Sequence, residues 1–489
     1  VVAVGYDITG LDFPKHVDNT VLVGPIADFL FDDPFHGRRL LIMAAIPLAL
    51  QGIFGSRRDA DRYIYFSIVA SFFYFTLASP LGVVDIRFLP FIYLSMFLLA
   101  AIYLGRFTGN FKAQWILPLL IVFLTLFWVN DHRAFSKAFI GKQESLVHTP
   151  SGLTQEILDG EYEGYIPDWI KWNYAGFSAK TLWVPFKQVN DLVSGDFSSP
   201  RVVYEHNTQH NAIGTLRAFE SLPLFSGRST LEGLYMQSTP TAPFVFYIQS
   251  EVSQQQSCPF AMNWKCSRFN LDEGVKHLRL FNVEYYIARS DKAKNQARIH
   301  EGLEHVETIG PFEVYRVGGY EYGYVSVPEN KPVLVESEDW RRTAYDWFKD
   351  VDLLDTPLVF TSNAGAGDIK NFGPARTDIE AIPQVPVGKD CSVKSVLGRD
   401  EINFSTSCVG VPHLVKVSYH PGWHAEGAGK VFKASPSFMI VVPQQEDVRL
   451  YFSDTWIDVF GKFLTVVGLA VVGYLILDLM KNDARFLKR

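Results

Sequence analysis

Apolar positions concentrate in two parts of the chain, residues 40–131 and 456–480, while the residues between 132 and 455 mix apolar and polar positions as a water-soluble protein does. The last concentration, Trp456 to Met480 (WIDVFGKFLTVVGLAVVGYLILDLM), is long enough to cross the ~30 Å hydrocarbon layer as a helix whose backbone groups satisfy one another. Lys481, Arg485, Lys488 and Arg489 follow it at once and mark the cytoplasmic side. Lys462 lies near its start, where the aliphatic stem can carry the ammonium up to the headgroups. A buried core helix is the competing reading, which the length and the basic flank disfavour.

Four earlier stretches read the same way: Leu40–Phe54, Tyr63–Ser79, Arg87–Leu104 and Ala113–Val129. Arg57, Arg58 and Arg62 in one connecting turn, and Arg106 and Lys112 in another, assign those turns to the cytoplasm. The lysine-free SPLGVVD loop falls outside. These charges place residues 132–455 on the outer side that the terminal stretch also requires, with Arg38 and Arg39 as the exception. The expected fold class is therefore an α-helical transmembrane bundle of about five spans plus an extracytoplasmic α/β module and a β-sandwich.

The expected segments are an extracytoplasmic loop or interfacial segment (1–38), four transmembrane helices (39–131), an α/β domain (132–320), a linker with a helix (321–390), a jelly-roll-like β-sandwich (391–455), the terminal helix (456–480) and a basic tail (481–489). The α/β reading rests on Asp272–Val317, where helical and strand periods alternate. Short alternating runs with turns every ~8–12 residues between Cys391 and Phe452 give the sandwich. The expected location is the inner membrane, multi-pass, with the large domain periplasmic.

Composition adds little to this picture. The 489 residues are 48% hydrophobic and 15% aromatic, with a net charge of −7. A mean hydropathy of +0.07 averages a membrane part with a globular one. The absence of a basic stripe argues against a nucleic-acid partner. Val1 opens the chain without a leader pattern, so residues upstream of it could carry chemistry.

Four cysteines, Cys258, Cys266, Cys391 and Cys408, form two local pairs by position. Disulfides 258–266 and 391–408 are the favoured reading and imply an oxidising compartment. Free thiols and a zinc site are the alternatives, the latter without a CxxC knuckle.

Candidate chemistry is scattered. Asp32, Asp33, His36, Arg38 and Arg39 crowd against the first apolar stretch, and Asp85 and Arg87 flank the third. In the soluble part, the run HNTQHNAIGTLRAFESLPLFSGRSTLEGLYMQS carries His206, His210, Asn211, Arg217, Glu220, Arg228 and Glu232 between glycines and small residues, as a loop system shaped around something does. His206 and His210 have the i,i+4 spacing of a helical metal pair, without a matching acid. The aromatic segment EYEGYIPDWIKWNYAG has the makings of a sugar platform or of an ordinary core. No GxSxG elbow, Walker loop or GxGxxG turn is present.

Three segments carry a resemblance: DIRFLPFIYLSMFLLAAIYLG, HLRLFNVEYYIARS with GPFEVYRV, and VKVSYHPGWHAEGAGKVFKASPSFMIVVPQQEDVRLYF followed by a terminal helix. Together they resemble GT-C type membrane glycosyltransferases and the YfhO-like, 6-pyruvoyl-tetrahydropterin-synthase-related membrane proteins. The resemblance implies transfer of a sugar from a polyprenyl-phosphate donor at the outer membrane face. A loop carboxylate, here Asp32 or Asp33, would act as general base, sometimes with a divalent metal ion. His36, Arg38, Asp85, Arg87, Arg217 and Arg228 are the candidates to bind substrate or its phosphate. Members of that group have more spans than the five expected here. The alternative function is a non-catalytic membrane-anchored scaffold or accessory subunit that binds polysaccharide or a partner protein, and a transporter is a third.

Overall fold

A computed structural model describes residues 49, 59–77, 85–109, 115–130, 176–233, 241–258, 264–361, 372–377, 379 and 382–486. The apolar N-terminal part gives helix α1 (Asp59–Leu77), a 3-10 turn (Asp85–Phe88), α2 (Leu89–Thr108) and α3 (Ile116–Asn130). α1 and α2 form an antiparallel hairpin. Phe75 at the end of α1 packs with Leu89 and Ile92 at the start of α2, and Ile64 and Ile68 meet Met96, Leu99 and Ala100. Buried Asp61 pairs with Arg106 at the far end.

The five-span bundle is not what the chain builds. Among the described residues two helical segments are long and apolar enough to cross a membrane, Leu89–Arg106 and Trp456–Leu477. The described part of the expected second span, Tyr63–Leu77, lies on α1, whose first turn carries Asp59, Asp61 and Arg62. The described part of the expected fourth span is α3, which is not among those two segments. The expected first span lies outside the described residues, apart from Ala49. Most of the described chain is a mixed α/β body with three sheets.

That body opens with α4 (Trp183–Leu192), β1 (Arg201–Tyr204), two 3-10 turns (Thr208–Ile213 and Ala218–Ser221), α5 (Leu222–Phe225), α6 (Ala242–Val252) and α7 (Leu271–Leu280). It continues through β2 (Val283–Ala288), α8 (Asp291–Ala297), β3 (Leu303–Ile309) and β4 (Phe312–Val317). These four strands form the first sheet, ordered β1-β2-β4-β3, with β1 and β2 parallel. β2 and β4 are largely buried on both faces, while the edge strand β3 is mostly exposed between its buried ends. Tyr286, Ala288, Tyr315 and Val317 face α6 and α7, while Tyr285, Ile287, Phe312 and Val314 join a second core with Phe186 and Val189 of α4.

The second sheet gathers β5 (Val325–Ser326), β6 (Val333–Val335), β7 (Leu358–Phe360), β10 (His413–Val415), β12 (Phe432–Ala434) and β13 (Phe438–Val441) in the order β5-β10-β13-β12-β7-β6. The third is the antiparallel β11-β14-β9-β8, from β8 (Val393–Leu397), β9 (Glu401–Thr406), β11 (Trp423–Glu426) and β14 (Asp447–Phe452). Val325, Val415, Met439 and Val441 of the second sheet share a core with Ile402, Phe404, Val448 and Leu450 of the third, which makes the sandwich. Three of its strands, β5 to β7, come from the stretch expected to be a linker. Their runs are two or three residues long, too short to show a strand period.

The opposite face of the second sheet packs on helices. Phe438, Ile440, Leu414 and Phe432 share one core with α6, α7 and α9 (Trp340–Lys349). Asp339 caps α9 by accepting from the Arg342 amide at 3.3 Å, and Ala344, Tyr345, Trp347 and Phe348 form its inward stripe. Cys258–Cys266 closes the passage from α6 towards α7, and Cys391–Cys408 brackets the β8–β9 hairpin. Both local disulfides form, and with two span-capable helices they fit a membrane or extracytoplasmic setting.

Phe438 is 1% exposed with its ring 4.9 Å from that of Phe281 on the α7–β2 connection. Phe438→Ala is expected to cost about 3–5 kcal/mol of unfolding free energy in urea titrations of the detergent-solubilised chain. Val396→Ala, at a position 62% exposed, should cost less than about 0.5 kcal/mol. Equal costs would show that the second sheet does not join the helical core.

Candidate functional site

Two parallel strands with a crossover between them bring their carboxyl ends together, which is where open α/β sheets carry ligands. β1 ends in Tyr204 and is followed by Glu205, and β2 ends in Ala288 and is followed by Arg289. The fully buried Glu205 carboxylate accepts backbone amides from Arg289 and Ser290, each at 2.7 Å, and from Gln254 at 3.3 Å. Ser290 caps α8 by accepting from the Ala293 amide at 3.2 Å. Gln249 on α6 donates to the Tyr204 carbonyl at 2.6 Å. The strand ends, the helix start and the crossover are thus locked together.

Around this frame lies a continuous cluster of polar groups. Asn207 opens the 3-10 turn by accepting from the Gln209 amide at 2.9 Å, and the turn carries His210 inward. The His210 ring is 5.2 Å from Phe219, 5.9 Å from Phe312 and 6.1 Å from Tyr204. Both ring nitrogens are buried, and no side chain partners either of them. Burial, then the Arg289 guanidinium, then His206 hold its pKa down to about 3, so the ring is neutral.

Arg289 lies 5.1 Å over the Phe312 ring, with Nε and Nη1 unpartnered. His206 is half-buried with Nδ1 unpartnered, and burial followed by Arg217 lowers its pKa. Arg217 pairs with Glu220 and reaches Glu232 at 3.4 Å. Tyr204 donates to Glu232 at 3.2 Å. Burial raises Glu220, whose two oxygens accept no hydrogen bond of ordinary geometry. Burial pushes Glu232 up to about 7 against the pull of Arg217. One guanidinium therefore serves two carboxyls.

The sequence candidates separate. Asp32, Asp33, His36 and Arg38 lie outside the described residues, as does the aromatic segment 161–175. Asp85 and Arg87 share the 3-10 turn that enters α2, with Arg87 exposed. Arg217 joins the cluster, but Arg228 belongs to the other end of β1, about 13 Å away by strand rise. There it donates to Glu284 at 2.6 Å and to the carbonyls of Pro200 and Ser194, over the Tyr285 ring. Those partners commit Arg228 to holding strand starts together.

Among the described residues no three His, Cys, Asp or Glu groups converge as metal ligands. His206 precedes the turn and His210 lies within it, so their spacing is not that of one helical face. Arg289 and Tyr204 escaped the sequence reading, since each sits in an ordinary strand pattern.

Residues 185–335 match a domain of unknown function, DUF8559. The match runs from α4 to β6 and contains every member of the polar cluster. Comparison with curated proteins and with solved structures returns no match.

Glu232 gives the site a pH signature. Its folded pKa of about 7 exceeds the ordinary 4.5, so between those values only the unfolded chain ionises it. The wild type should lose stability as pH rises through that window, by at most on the order of 3 kcal/mol. Glu232→Gln should lack this loss, and so gain on the wild type between pH 5 and pH 8 in urea unfolding. A difference between the two chains that is constant with pH would refute the assignment.

Proposed function

We propose that the chain is a membrane-anchored protein of lipid-linked glycan chemistry, related to the GT-C type glycosyltransferases, whose three-sheet body stands outside the membrane and recognises a hydroxyl-rich ligand. The recognition reading is carried by one observation: donors without acceptors and acceptors without donors lie side by side at the carboxyl ends of β1 and β2. Arg289 and His206 offer N–H groups or a ring nitrogen, Glu220 offers the carboxylate oxygen that Arg217 does not hold, and His210 offers one of each. Polar groups in a protein interior carry partners, since each orphan costs about 1–3 kcal/mol. A sugar hydroxyl both donates and accepts, so a glycan answers both halves of this set. A free anion would meet Glu205, Glu220 and Glu232 and fits less well.

His206, Arg289 and Arg217 form the more open side, with the Arg217 side chain 27% exposed, while His210 and Glu220 form the floor. Glycan-array binding by the detergent-solubilised chain is expected, and Arg289→Met and Glu220→Gln should each weaken it at least about tenfold. No glycan bound, or unchanged binding by both variants, would overturn the recognition reading.

Catalysis by the chain itself is the second reading, favoured by the placement of Asp85 and Arg87 in the turn that starts the span-capable α2. Its test is sugar transfer from a polyprenyl-phosphate donor in vesicles. Asp85→Asn and Arg87→Ala should each lower transfer by about 10²-fold or more if these residues meet the donor. Full activity in both would remove them from the site.

A further inference from the structure

The body has a second face whose surroundings are set by chain geometry. β14 ends at Phe452 and α10 (Trp456–Phe486) starts after three residues, a connection of at most about 14 Å. That connection is fastened at both sides. The Phe452 amide donates to the Asp400 carbonyl at 2.8 Å and the Ser453 amide to the Gly422 carbonyl at 2.9 Å. Thr455 and Asp458 cap the helix reciprocally, at 2.7 Å for the Thr455 amide to the Asp458 carboxylate and 3.4 Å for the Asp458 amide to the Thr455 hydroxyl. Asp454 pairs with Lys462. A sheet joined so closely to a membrane helix has no slack to stand clear of the bilayer.

The residues at this rim suit a lipid interface. Trp423 lies opposite Phe452 in the β11–β14 register, with rings 5.6 Å apart, and His420 lies 5.1 Å from Phe452. Trp456 is 69% exposed and Phe452 39%. Arg399 is exposed at the neighbouring β8–β9 hairpin tip, which the Asp400 contact holds against the rim. Tryptophan rings with one apolar and one polar side collect at the headgroup level, and a guanidinium there meets phosphates.

We infer that the rim formed by Trp423, Phe452, Trp456 and Arg399 is a phospholipid-docking surface that fixes the third sheet against the outer leaflet. The inference rests on reading α10 as a membrane span. It leaves the polar cluster, on a different sheet, free to meet a ligand.

The test uses the full chain in nanodiscs of phosphatidylcholine whose acyl chains are brominated near the headgroup, with intrinsic fluorescence as the readout. Quenching is expected for the wild type. Trp423→Phe and Trp456→Phe should each reduce it and the double variant should roughly halve it, whereas Trp340→Phe, on α9, should not. Loss of quenching in Trp456→Phe but not in Trp423→Phe would overturn the docking surface and leave the membrane helix standing. No loss in either variant would overturn both.

Discussion

Strand β13 is buried on both faces, and the layers of the body depend on that double burial. Phe438 and Ile440 point to the helices and Met439 and Val441 to the third sheet, all at most 1% exposed. Each such side chain contributes about 1.5–3 kcal/mol by leaving water. The strand also pairs with β10 on one side and β12 on the other, so its backbone groups are satisfied within the sheet. Neither the sandwich nor the α/β unit owns this strand alone. Both cores would open if it slipped by one residue, because a slip exchanges the two faces.

The seam between those cores is set by polar contacts as well. Arg201, at the start of β1, donates to the Phe281 carbonyl at 2.7 Å and the Lys416 carbonyl at 3.0 Å, with the Tyr324 ring 4.7 Å away. Lys416 reaches the Arg279 carbonyl at 3.5 Å and lies 5.5 Å from the Tyr320 ring. Burial, followed by the neighbouring Arg201, lowers Lys416 to about 8. Two cations met by carbonyls and rings stabilise less than an apolar contact of the same size. Their directed bonds do distinguish one packing of the sandwich on the α/β unit from its neighbours, which apolar area alone does not.

Legibility in the sequence followed the range of the forces involved. The terminal helix, the β2–β4 strands and β8, β9, β10, β13 and β14 of the sandwich announced themselves because their patterns are local and periodic. The cysteine pairs were legible because they close short loops. The spans were overcounted because apolar composition over a stretch does not exclude charges from the helix that carries it: α1 opens with Asp59, Asp61 and Arg62 and is not among the span-capable segments. β5 to β7 were missed because they are strands only by virtue of partners far away in sequence. In the site, the Gly-punctuated run containing His206, His210, Arg217, Glu220 and Glu232 stood out, since polar residues without an apolar period suggest a shaped loop. Arg289 did not stand out, because only the β1–β2 pairing carries it to His210.

The connection at Ser453–Thr455 bears on how α10 and the body are placed. A flexible tether would let the body sample many orientations, and events at one would not bias the other. Here Asp400, Gly422 and the reciprocal Thr455–Asp458 cap fasten both sides of the joint. Tilting α10 therefore means either breaking those bonds or carrying the third sheet with it. The third sheet packs through Val448 and Leu450 on the second, and the second through β13 on the helices that support β2. A chain of packed contacts thus runs from α10 to the polar cluster at the carboxyl ends of β1 and β2. Orientation of that cluster relative to α10 is a property of the fold.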